Sequence, residues 1–286
     1  GLDLSAGNLS VRAGNRALQQ LGFAVSRCGE GKIENQDSMK IYHDENQIII
    51  VVADGLGSAI YSKEGSQKIT SLAAEILAER NDLSEIAVDL QSEWKEGLSG
   101  NLNLYDTTVK FIKITETDVM YGGVGDGWIA FNTGDGFVDM TSSNSFSNQT
   151  DTILSFDLKS KFRVEKIHTE FLKTALISTD GFSEDMEKES GEAFLLTVSE
   201  QMRTDSEAFK KEIEDTLSHW PIETNRDDKT VVFITHRLST TRHVNRIYMF
   251  EKGRIIEQGS HEELMKLNGK YAEMFRMQAE NYAESE

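Results

Sequence analysis

Two residue types are almost missing from this chain. Cysteine occurs once, at Cys28, among 286 residues, so no disulfide can form within the chain. A disulfide-stapled fold is thereby excluded, and a reducing, cytoplasmic setting is the expectation. Proline also occurs once, at Pro221, which rules out polyproline segments and proline-rich linkers. Long apolar runs are lacking too. The longest, residues 48–53, falls far short of the roughly 20 residues that span a bilayer. No signal-peptide pattern, tandem repeat or low-complexity tract is seen. Positive charge is scarce: 30 Lys and Arg stand against 48 Asp and Glu, for a net charge of −18. Such a chain repels phosphate backbones, which argues against a nucleic-acid partner. The phosphate-binding loop GxxxxGK[ST] is absent. The nearest string, GEGKI at 29–33, has neither its spacing nor its hydroxyl residue.

What is present suffices for a packed core, with 38% hydrophobic and 27% charged residues. The acidity is uneven. Residues 236–286 contain 8 basic and 8 acidic residues, which leaves 22 basic and 40 acidic in 1–235. The whole net charge of −18 therefore precedes position 236. Residues 22–28 and 47–53 read as strands, the second apolar enough to be buried on both faces. Ile69, Leu72, Ala73, Ile76 and Leu77 form the stripe of an amphipathic helix, and a second helix follows from about Asp82. From Asp106 onward come short strands with Gly-Asp turns. Residues 184–219 read as mostly helical, and TVVFIT returns to strand. The pattern predicts an α+β fold, a sandwich of sheets with helices outside.

Five acidic residues sit in similar settings: Asp37 in ENQDS, Asp54 in VVADGLGS, Asp126 in GGVGDGWIA, Asp180 in ALISTDGFSED and Asp227 in DDKTVVFI. An Asp at the end of a buried strand has a short side chain on a fixed backbone, and a following glycine lets the chain turn sharply. Taken singly, Asp-Gly after a strand is an ordinary turn. Several such ends converging would crowd carboxylates that cannot all remain charged alone. Mg²⁺ or Mn²⁺, which take oxygen ligands, would relieve that repulsion. A pair of them can activate a water for phosphoester hydrolysis.

Residues 22–235 resemble the bacterial metal-dependent protein phosphatases of type 2C, the PPM family. The resemblance rests on ENQDS, VVADGLG, YDTTV, VGDGWIAF, LISTDGFSED and DDKTVVFI, which occur in the family's order. It implies a central β-sandwich flanked by antiparallel helices. It also implies Mn²⁺- or Mg²⁺-dependent hydrolysis of phosphoserine and phosphothreonine in proteins. Asp54 would bridge two metal ions with the Gly55 carbonyl on one of them. Asp180 and Asp227 would hold the other, and Asp37 would act mainly through water. Asp126 with Asp180 would serve a weaker third ion. The polar loop at 142–151 would be the family's variable flap beside the site. Three departures stand out. Leu56 replaces the histidine that many members carry as candidate general acid. Gln36 replaces a glutamate. Lys32 falls where the family has its phosphate-binding arginine, with Arg27 as a second candidate. Lysine binds phosphate as a point charge, without the guanidinium's fork. The alternative on the same fold is a low-turnover phosphate-sensing or protein-binding module.

Residues 235–282 resemble the end of the nucleotide-binding domain of an ABC exporter, from FITHRLST to the last helix, with His236 at that family's switch histidine. Residues 246–258 read as a hairpin, and Ser260 with Glu263 as a capping box. Leu264, Leu267, Tyr271, Met274 and Phe275 would form the last helix's apolar stripe. The opening residues, GLDLSAGNLSVRAGNRAL, distantly echo the ABC signature helix. The expected organisation is an N-terminal segment 1–21, a phosphatase domain 22–235 and a non-catalytic tail 236–286. The tail would serve packing, homo-oligomer formation or docking near an ABC exporter. An ATP-binding regulator is the rival that the missing phosphate loop disfavours.

Overall fold

The computed structural model describes residues 7–13, 16–133, 136–141, 150–186, 190–220, 225–236, 247–251, 254–273 and 275–276. In chain order the elements begin with β1 (Gly7–Ala13), β2 (Arg16–Arg27), β3 (Ser38–His43), β4 (Gln47–Ala53), α1 (Ser62–Glu79) and α2 (Ile86–Glu96). Next come β5 (Val109–Thr115), β6 (Asp118–Val124), β7 (Trp128–Asn132), β8 (Phe137–Thr141), α3 (Leu158–Lys161) and β9 (Arg163–His168). The chain continues through β10 (Thr174–Ser178), α4 (Asp180–Ser183), α5 (Gly191–Ser218) and β11 (Lys229–His236). It closes with β12 (Ile247–Glu251), β13 (Arg254–Gly259) and α6 (His261–Leu267).

Two antiparallel sheets form the centre: a six-stranded one in the order β1-β2-β11-β10-β7-β8 and a five-stranded one in the order β3-β4-β5-β6-β9. Strand alternation explains why β4 is apolar throughout. Ile48, Ile50 and Val52 point into the space between the sheets, with Ile112, Ile129, Phe131, Ile177 and Val232. Ile49 and Val51 point the other way, against Ile69 and Leu77 of α1 and Leu90 and Trp94 of α2. On the outer face of the six-stranded sheet, Phe23, Leu176, Val231 and Phe233 pack against Leu195, Val198, Met202 and Phe209 of α5. The result is a four-layer helix–sheet–sheet–helix arrangement, the α+β sandwich expected from the pattern. Burying one such Ile or Phe side chain contributes about 1.5–3 kcal/mol, so the three apolar layers carry the fold.

Differences from the sequence reading have local causes. The stretch echoing an ABC signature helix is the antiparallel hairpin of β1 and β2. β2 starts at Arg16 and runs without a break past position 22, because β11 pairs with it from Gln20 to Arg27. α5 is interrupted at Asp205, whose backbone is extended and whose Oδ1 accepts from Ala208 N at 3.0 Å to restart the helix. β12 and β13 pair in a separate two-stranded sheet, as the hairpin pattern indicated. Ser260 and Glu263 make the reciprocal cap of α6. The single last helix does not form. α6 ends at Leu267, where Asn268 turns left-handed (φ 55°), and helical backbone resumes at Lys270. Leu264, Tyr271 and Phe275 are buried as the stripe requires, but Leu267 is 62% exposed. Met274 lies outside the described residues, as do 142–149 of the expected flap.

Candidate functional site

The pairing registers bring the acidic residues to one end of the sandwich. In the five-stranded sheet Ser38 pairs with Ala53, so Asp37 and Asp54, one residue beyond each, are neighbours. In the six-stranded sheet Ser178 pairs with Trp128 on one side and Val231 on the other. That sets Asp180, at the start of α4, between Asp126 in the β6–β7 turn and Asp227 ahead of β11. Gly181 makes the last approach possible. A Cβ there would stand 2.0 Å from Asp228 O and 3.2 Å from Asp227 Cβ, so only glycine lets the two segments meet.

Hydroxyl groups fix the backbone at these strand ends. Thr108 Oγ1 accepts from Asp54 N at 2.9 Å, and Thr107 Oγ1 donates to Asp54 O at 2.7 Å. Buried Gly55 bridges to Thr107, and Leu56 N donates to Asp106 O at 3.0 Å. Thr179 Oγ1 donates to Asp37 Oδ2 at 2.8 Å and accepts from Thr230 N at 3.1 Å. Thr150 Oγ1 donates to Asp126 Oδ2 at 2.5 Å. Arranged around these anchors, the carboxyls crowd one another. Burial first, and then the charges of Asp37 and Asp180, hold the Asp54 carboxyl well above the ordinary range. Burial pushes Asp37 up to about 7, with the Asp228 charge adding to it against the Thr230 and Thr179 hydrogen bonds. Burial, then the charges of Asp126 and Asp227, raise Asp180 to about 6.

Two buried oxygens at the centre, Asp37 Oδ1 and Asp180 Oδ1, have no hydrogen-bond partner. Carboxylate oxygens that are buried, crowded and undonated fit a hard divalent cation as their partner. The side chains stand close together without a finished ligand set: among the described residues no three His, Cys, Asp or Glu side chains are already gathered around one point.

The candidates divide on position. Asp54 neighbours both Asp37 and Asp180, and Asp126 and Asp227 flank Asp180. Asp227 is the outermost, its side chain 52% exposed. Lys32 reaches it: Nζ donates to Asp227 Oδ1 at 2.6 Å and to Asp228 Oδ2 at 3.2 Å. Burial alone would lower the Lys32 pKa, but the Asp227 hydrogen bond and the Asp228 charge hold it above the usual lysine value. Arg27 is exposed at the end of β2 and joins no ion pair among the described residues. Gln36 is held through its backbone, donating to Asp228 Oδ2 at 2.8 Å.

Asp228 was missed by sequence reasoning. Its carboxylate is buried and accepts Gly29 N at 2.7 Å, Gln36 N and Lys32 Nζ, tying the 29–36 loop to the start of β11. The only signal was its place beside Asp227 in DDKT, just ahead of β11. Lys110 was also missed. It is the second residue of β5, is buried, and has its pKa lowered by burial to about 8 while Asp126 pulls the other way.

The family model for protein phosphatase 2C matches residues 27–218, ending short of Asp227. Among solved structures, an arginine-to-lysine variant of a bacterial serine phosphatase superposes with a TM-score of 0.58 at 16% identity, covering 76% of this chain and 97% of that one. The serine/threonine phosphatase Stp1 from Staphylococcus aureus gives 0.52 at 15% identity, over 76% and 94%. RsbX in complex with magnesium gives 0.54 at 19% identity, over 76% and 96%. At those identities the likeness is one of fold. The curated relatives match a short segment, in keeping with the tail's resemblance to ABC proteins. The putative ABC transporter ATP-binding protein exp8 of Streptococcus pneumoniae is 52% identical over 54 residues. An ATP-dependent lipid A-core flippase of Legionella pneumophila is 46% identical over 50. These segments span 9% and 8% of those proteins' lengths.

Proposed function

Because this chain belongs to the protein phosphatase 2C family, we propose that it hydrolyses phosphoserine and phosphothreonine esters in proteins with the help of divalent cations. The observation that carries the reading is the placement of Asp54 beside both Asp37 and Asp180, each of which keeps one buried, undonated oxygen. Asp54 with the Gly55 carbonyl, Asp37, Asp180 and Asp227 are the groups that would hold Mn²⁺ or Mg²⁺, and Asp126 beside Asp180 is the carboxylate a third ion would need. The cations would neutralise these carboxylates and acidify a water for attack on phosphorus.

The chain's own residues set the rest. Thr179 orients Asp37 by donating to Oδ2, which leaves Oδ1 turned to the site. Asp228 holds the loop carrying Lys32 and Gln36 against β11. Lys32 is the phosphate-binding cation in this reading, and it must exchange its Asp227 contact for phosphate oxygens when substrate enters. Leu56 offers no proton to the leaving serine or threonine oxygen, so solvent within the site supplies it. The tail is read as non-catalytic, serving assembly or docking at an ABC exporter. Phosphate release from a phosphothreonine peptide, with Mn²⁺ and then with excess EDTA, tests the proposal. Turnover that depends on the cation supports it, and no turnover with Mn²⁺ or Mg²⁺ would leave a binding module.

A further inference from the structure

β5 carries two buried lysines three residues apart, which places them on opposite faces of the sheet. Lys113 lies on the helix side with Val109 and Phe111. Its ammonium donates to Leu77 O at 2.7 Å, Arg80 O at 2.5 Å and Asn81 Oδ1 at 3.2 Å. That use is structural, because it closes the carbonyls at the end of α1.

Lys110 lies on the other side, in the row with Ile112 and Ile114 that fills the space between the sheets. It is 5% exposed, and among the described residues no hydrogen bond or ion pair holds its ammonium. Gly127 shows where the side chain ends. A Cβ built on Gly127 would meet Ser178 O at 2.6 Å, Lys110 Cε at 3.3 Å and Thr179 Cα at 3.4 Å. The end of Lys110 is thus wedged between the Asp126–Gly127 turn and the Thr179–Asp180 strand end. Asp126 attracts the ammonium, while Arg163 on β9 repels it. A largely buried ammonium is costly unless a nearby carboxylate offsets it, and Asp126 is the carboxylate whose field does so. The same Asp126, together with Asp180, is where a third divalent ion would have to sit. A fixed ammonium and a divalent ion would there compete for one carboxylate and repel each other.

We propose that Lys110 is a built-in cation that takes the charge-balancing place of a third metal ion at Asp126 and Asp180. The loaded protein then holds two divalent ions, not three. The inference rests on the divalent-cation reading of the site, and its test separates the two. Mn²⁺ bound per folded chain is counted by titration with electron paramagnetic resonance of free Mn²⁺, on the full chain. The expected counts are two for the wild type, three for Lys110→Met and two again for Lys110→Met/Asp126→Asn. Asp126→Asn alone should leave the count at two. Three ions on the wild type would overturn the proposal without recourse to any variant, even if Lys110→Met fails to fold. A Lys110→Met protein that folds by circular dichroism and still binds two would overturn it as well. A wild type that binds none would remove the cation reading itself, and the role of Lys110 with it.

Discussion

Replacing Asp228 with alanine should damage both stability and the site. The carboxylate is 1% exposed and accepts two backbone N–H groups and one ammonium, from Gly29, Gln36 and Lys32. Asp228→Ala leaves both N–H groups without an acceptor, at about 1–3 kcal/mol each. Exposed Glu30, Ile33 and Glu34 show that the 29–36 loop borders solvent, so water recovers part of this and the lower end applies. Lys32 keeps Asp227, so its loss is small. One effect opposes the damage: the Asp228 charge contributes to the raised pKa of Asp37, and removing it relieves that repulsion. It ranks well behind burial among the causes, so the lost hydrogen bonds win. The net cost is about 2–4 kcal/mol. At about 2–4 °C per kcal/mol for a chain of this size, Tm should fall by roughly 4–16 °C. Gln36 immediately precedes Asp37, so a loosened loop should also weaken Mn²⁺ binding by about tenfold. Asp228→Asn keeps one acceptor oxygen and should lose about half as much stability. Thermal unfolding and calorimetric Mn²⁺ titration read both effects. An alanine variant within 1 °C of wild type, with unaltered Mn²⁺ affinity, would refute the assignment of Asp228 as the clasp of the loop.

Other expectations concern charge and chemistry. Asp37 at about 7 and Asp180 at about 6 bind protons more tightly than an ordinary carboxyl at 3.8. The cation-free folded chain therefore holds more protons than the unfolded one between those values. Its stability falls as pH rises from about 4 through about 7, by up to about 1.4 kcal/mol per pH unit for each proton. Mn²⁺ replaces those protons, so its Tm increment should be larger at pH 7.5 than at pH 5; equal increments would count against the carboxyl cluster. Lys32→Met should weaken inhibition by inorganic phosphate by about tenfold, while Mn²⁺ binds more tightly because Asp227 has lost its competing ammonium. Unchanged phosphate inhibition would mean that Lys32 does not contact phosphate. With Leu56 beside the site in place of an acid, kcat/KM should fall steeply as leaving-group pKa rises from aryl to alkyl phosphates. A flat series would point to a side-chain acid elsewhere.

The layers and the acid-bearing strand ends were legible in sequence because both depend on local pattern. The apolar stretch of β4 announces a strand buried on two faces, and the Ile69–Leu77 stripe announces α1. Each candidate aspartate sits at or just outside a strand end, where antiparallel register alone gathers it. Residues whose roles depend on facing were less legible. Asp227 and Asp228 are adjacent and chemically identical, yet one is half-exposed and the other buried under a loop from about 190 residues earlier. Lys110 and Lys113 look alike in a strand whose alternation is blurred because both faces are buried. The N-terminal hairpin went unread because its signal is the partner β11, far away in sequence. The break at Asn268 is a left-handed turn within an otherwise helical stripe, which apolar spacing does not register.

The central claim is that the converging carboxylates support cation-dependent phosphate ester hydrolysis, and Asp54→Asn tests it most directly. Asn preserves the volume at the end of β4 and leaves the backbone contacts to Thr107 and Thr108 available, so the fold should survive. The amide also removes one of the crowded charges, so Tm without cations should hold or rise slightly. Mn²⁺-dependent phosphate release from a phosphothreonine peptide should drop by about 10³-fold or more, about 4 kcal/mol in barrier terms. A folded Asp54→Asn protein that releases phosphate within threefold of the wild-type rate would contradict the account.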